Sequence, residues 1–95
     1  MANLESRLPG ADLVDLGLRD LAAGRESEAA LLVAMAAPRL RAIGIPVPDG
    51  GGEMPHHRLY VLLSDRDPGA AHSLYNALVG RIASFSRAAE HAPAR

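Results

Sequence analysis

The stretch SEAALLVAMAAPRLRAIG, Ser27 to Gly44, decides what kind of fold this chain makes. From Ala29 to Ala37 every residue is apolar, so a helix here has no polar side to turn toward water. Such a helix belongs at the centre of a bundle, covered by its neighbours. Ser27 is placed to cap its first turn, because a serine oxygen accepts from a free backbone N–H there. Pro38 lacks an N–H and clashes with a preceding turn, so the sequence predicts a new short helix over 38–43. Gly44 closes it and Pro46 fences it. The expected central helix is therefore apolar and Pro-kinked, in two parts.

Working outward toward the N-terminus, residues 9–23 place Leu13, Val14, Gly17, Leu18 and Leu21 in one arc at helical spacing. Asp12, Asp15 and Arg19 fall opposite, with Asp15 and Arg19 paired one turn apart on the wet face. Gly24 stands where a helix-ending glycine belongs. Gly17 costs about 1 kcal/mol of helix propensity relative to alanine, so its presence in the apolar arc predicts close approach of another backbone.

Toward the C-terminus, three prolines and three glycines in residues 45–55 predict a flexible linker. Residues 56–64 read as helix or strand: the Arg-Leu-Tyr-Val-Leu-Leu run suits a strand, whereas Pro55 suits a first helical position and a lone strand would have no partner. Helix fits better. Asp67 followed by Pro68 reads as cap and first residue of a long C-terminal helix reaching about His91, with Ala71, Leu74, Leu78, Ile82, Phe85 and Ala89 along one side. Residues 92–95 are expected to fray. The expected architecture is all-α, a compact bundle of four to five helices forming a single domain over residues 1–95.

Composition removes whole chemistries. The 95 residues contain no Cys, Lys, Trp, Thr or Gln. Without Cys there is no disulfide, thiol nucleophile or cysteine-type zinc site. Without Lys there is no Schiff base and no Walker A lysine. The ten cations, all Arg, together with 18 Ala, follow the codon bias of a GC-rich bacterial genome. No basic leader precedes an apolar run, and the longest apolar run, nine residues, falls short of the roughly 20 that span a bilayer. A cytoplasmic protein without membrane contact is expected.

Candidate sites are few. His56, His57, Asp65 and His72, with Asp67, are the residue types that bind a divalent metal, and a metal-assisted hydrolase is one reading. No ligand spacing repeats on one helix, however, and Asp67 is expected to cap. No cofactor is implied and no catalytic constellation emerges: the sequence has no Gly-x-Ser-x-Gly, and the Gly50-Gly51-Gly52 loop lacks the residues that complete a phosphate cradle. A regulator binding nucleic acid through Arg39, Arg41, Arg81 and Arg87 is a second reading. The net charge of −1 speaks against it, and residues 12–37, though shaped like a helix-turn-helix, offer no base-reading side chain on the second helix.

The last helix holds the remaining signals. Arg81 lies within the apolar arc, where either its stem covers apolar surface while the head reaches solvent, or its charge pairs with Asp12, Asp20 or a partner's carboxylate. Beside it runs a strip of small residues, Ser73, Ala77, Gly80 and Ser84, which suits helix contact. His72, Tyr75 and Asn76 form a polar group that either satisfies buried backbone or borders a pocket. Finally, 18 of the 46 hydrophobic residues are alanine, and three are aromatic. So little buried area per side chain leaves a small domain short of core, and small scaffolds in that position recruit a second chain. The leading expectation is a helical interaction module acting as a homodimer or as an accessory subunit, with Ser73, Ala77, Gly80, Arg81 and Ser84 at the contact.

Overall fold

The computed structural model describes residues 8–50 and 52–91. Four helices follow one another: α1 (Ala11–Ala22), α2 (Glu28–Ala42), α3 (Pro55–Arg66) and α4 (Ala71–Glu90). Among the described residues there is no strand, so residues 56–64 are helical. The fraying expected at 92–95 lies outside the described residues.

Helix α2 sits in the middle, and α1, α3 and α4 all pack against it. The apolar run from Ala29 to Ala37 demands this, and Leu31, Leu32 and Val33 are buried on three sides of the helix. Ser27 caps it, its Oγ accepting from the Ala30 N–H at 3.1 Å. Both α1 and α2 end on glycines with positive φ, Gly24 at 76° and Gly44 at 94°. Each glycine allows the chain to turn back so that the next N–H reaches a carbonyl of the last turn: Arg25 to Asp20 at 2.8 Å, Ile45 to Leu40 at 3.0 Å.

Two sequence expectations are corrected. The expected break before Pro38 does not occur: α2 is one helix through Pro38 to Ala42. Pro38 is exposed, while Ala37 and Leu40 on either side of it are buried. The buried Leu40 side chain supplies about 1.5 to 3 kcal/mol, comparable with what an interior proline costs. Asp67 likewise does not cap α4. It ends α3, and its carbonyl accepts from the Ala70 N–H at 3.0 Å, so α4 begins only at Ala71. Helix α3 runs on to Arg66, whose guanidinium forks onto the Glu28 carboxylate of α2, at 2.7 and 3.0 Å.

The segment expected to be a flexible linker is fastened to the bundle. Val47 is buried in the core. Arg41 donates to the Val47 carbonyl at 2.8 Å and to Asp49 at 3.2 Å. Arg58 donates to the Glu53 carbonyl and pairs with Glu26 across the α1–α2 turn. The core itself gathers Val14 and Leu18 of α1, the α2 leucines, Leu59 and Leu63 of α3, and Phe85 and Ile82 of α4.

Candidate interaction groove

Helix α4, 20 residues long, packs against α2, and near its C-terminal end Glu90 meets Arg39 of α2. Between the two helices is a surface cleft of about 270 Å³, formed by Met35, Ala36 and Arg39 of α2 and by Val79, Ile82, Ala83 and Ser86 of α4. Most of these side chains are apolar. Ser86 adds no free polarity, because its buried hydroxyl donates to the Ile82 carbonyl at 2.9 Å. One end of the cleft is closed by an ion pair, Arg39 to Glu90 at 3.2 Å. On the α2 side the groove is walled by Met35 and Ala36, which are half-buried, and by the exposed Arg39.

The arginines are almost fully engaged within the chain. Seven of the eight described arginines each hold a different carboxylate: Arg19 with Asp15, Arg25 with Asp20, Arg39 with Glu90, Arg41 with Asp49, Arg58 with Glu26, Arg66 with Glu28 and Arg81 with Asp12. Arg87, one turn beyond Ala83 on α4, has no carboxylate partner among the described residues. Among the described acids Glu53, Asp65 and Asp67 have no arginine. Three of the four arginines expected to meet phosphates therefore already face a carboxylate. The supposed recognition helix is α2, whose residues Ala29 to Val33 are buried in the core.

Arg81 reaches Asp12 at 3.2 Å, one of the two acids of α1 expected for it, with both side chains largely in solvent. Asp20 is occupied elsewhere: it is buried, accepts from the Ser27 hydroxyl at 2.6 Å and pairs with Arg25 at 3.0 Å. The Ser27 hydrogen bond, helped by Arg25, holds the Asp20 carboxyl below the usual carboxylate range against the opposing effect of burial. Glu28 similarly raises the Arg66 guanidinium.

The small-residue strip faces outward. Ser73, Ala77, Gly80 and Arg81 are exposed and Ser84 is half-buried. A methyl built at Gly80 meets nothing within 4 Å, so among the described residues no helix packs on the strip at that point. His72 and Asn76 hydrogen-bond to each other at 3.3 Å on the surface, and Tyr75 rests on Tyr60 of α3, ring centres 5.8 Å apart and tilted by 56°. His56 and His57 are exposed at the start of α3, and Asp65 follows about 13 Å along the helix axis. Among the described residues no three His, Cys, Asp or Glu side chains come together to hold a metal.

The groove escaped sequence reasoning because its walls come from two helices that are far apart in the sequence. The usable signal was the apolar run of α2, which contributes Met35 and Ala36 to the groove. No described helix is long and apolar enough to cross a membrane. Comparison with known protein families, with characterised proteins and with solved structures finds no match.

Proposed function

We propose that this chain is a small helical interaction module, working as a homodimer or as an accessory subunit, and that the α2–α4 groove is its contact surface. The observation that carries the reading is the groove: a surface cleft of about 270 Å³ between α2 and α4, lined mostly by apolar side chains. Covering it also adds buried area that an alanine-rich core lacks. The expected strip of Ser73, Ala77, Gly80, Arg81 and Ser84 lies on the same helix but around its axis from the groove wall, so it is a separate candidate face.

Substituting Ala83→Glu tests the reading, because Ala83 is in the groove wall and outside the core. Wild-type chain is expected to elute from size exclusion above the mass of one chain, purified or in extract of the producing cells. Ala83→Glu is expected to elute as a single chain with unchanged helicity. A wild type that runs as one chain in both settings overturns the proposal.

A further inference from the structure

We propose that the occupant of the groove is a second copy of this chain, seated through the outer face of α3, with Val61 in the groove and Asp65 against Arg87. This rests on the reading of the groove as a contact surface and goes beyond it by naming what fills it.

The argument begins with what the chain leaves unused. Among the described residues Leu16, Met54, Tyr60 and Val61 are the exposed large apolar side chains. Tyr60 is engaged by Tyr75. Leu16 has no free acid one turn away, because Asp12 holds Arg81 and Asp20 holds Arg25 and Ser27. Met54 lies before α3 rather than on a helix face. Val61 differs: it is 44% exposed, and Asp65 follows it by four residues on the same exposed side of α3. That spacing puts a branched apolar side chain and an unpaired carboxylate about 6 Å apart along one face.

The groove carries the complementary pair at the same spacing. Ala83 is in its wall, and Arg87 follows by four residues on the exposed side of α4. Arg87 is the one described arginine that no carboxylate among the described residues neutralises. A copy of α3 laid parallel to α4 brings Val61 over Ala83, where a small residue leaves room, and sets the Asp65 carboxylate opposite the Arg87 guanidinium. The apolar contact supplies the attraction, and the charge pair fixes direction and register. Antiparallel seating puts the carboxylate at the wrong end.

Light scattering on the purified full chain from micromolar to millimolar concentration tests this. The wild-type mass is expected to rise above that of one chain. Arg87→Asp and Asp65→Arg should each weaken association about tenfold, and an equimolar mixture of the two variants should restore it, since the changed charge on one variant then meets the opposite charge on the other. Both positions are exposed, so circular dichroism is expected to be unchanged. A wild type of single-chain mass throughout, or a mixture no stronger than its components, overturns the proposal. If purified wild type is a single chain while the larger species in extract remains and is lost in Ala83→Glu, a different partner fills the groove and the broader reading stands.

Discussion

Gly17 of α1 lies directly on the backbone of Ala29 in α2, so close that a methyl group at Gly17 would overlap the Ala29 carbonyl oxygen and the Val33 side chain. The two helices touch at this point because one residue has no side chain. The same closeness lets Val14 and Leu18 reach full burial against α2. The Gly17→Ala substitution gains helix propensity yet forces the helices apart. We expect a net loss of about 1 to 3 kcal/mol, read from urea unfolding. A neutral or stabilising result means the two backbones are not in contact.

The Asp20–Ser27 contact makes stability depend on pH. A carboxyl whose folded pKa lies below its unfolded value of about 3.9 adds stability that is fully present above that pH. The contribution disappears as pH falls through the lowered folded value. Asp20→Asn is expected to lower the urea midpoint at pH 7 and to flatten its decline below about pH 4 relative to wild type. Ser27→Ala removes both the α2 cap and this hydrogen bond, with the cap alone worth about 1 kcal/mol. Equal acid profiles for wild type and Asp20→Asn contradict the assignment.

Pro38 separates one helix from two. Inside a continuous α2 its ring costs a hydrogen bond and a steric clash, so Pro38→Ala should stabilise the fold by about 1 kcal/mol or more. If Pro38 instead opened a second helix, its fixed φ would be favourable and the same substitution would be neutral or destabilising. Thermal and urea unfolding of the two proteins decide between these outcomes.

Much of this architecture was legible from local chemistry. Ser27, Gly24 and Gly44 mark helix ends through the N–H groups and positive φ angles they manage, and the run from Ala29 to Ala37 announces a buried centre. Gly17 gave away a close helix crossing. What local patterns could not give were outcomes set by packing. Pro38 is tolerated because Leu40 behind it is buried, and Asp67 ends α3 rather than capping α4, with Arg66 beside it paired to Glu28. The strip on α4 was visible as spacing. The groove was not, since its walls come from two helices far apart in sequence. The choice of Asp12 over Asp20 for Arg81 was open for the same reason.

The internal pairing of the arginines has a consequence for nucleic acid. Each phosphate contact by Arg39, Arg41 or Arg81 must first break a contact with Glu90, Asp49 or Asp12. We expect no gel shift with duplex or single-stranded DNA at low salt. A shift that weakens steeply with added salt and is lost on mutating these arginines would restore the nucleic-acid reading.

The central claim is that the α2–α4 groove is where this chain meets another. A photo-reactive benzoylphenylalanine placed at Ala83 tests it most directly, with the same label at Ala22 on the exposed face of α1 as the control. The account predicts a cross-linked adduct in the producing cells from the Ala83 label and little from the Ala22 label, with the adduct's mass identifying a second copy. No adduct at Ala83, or equal yields at the two positions, would contradict it.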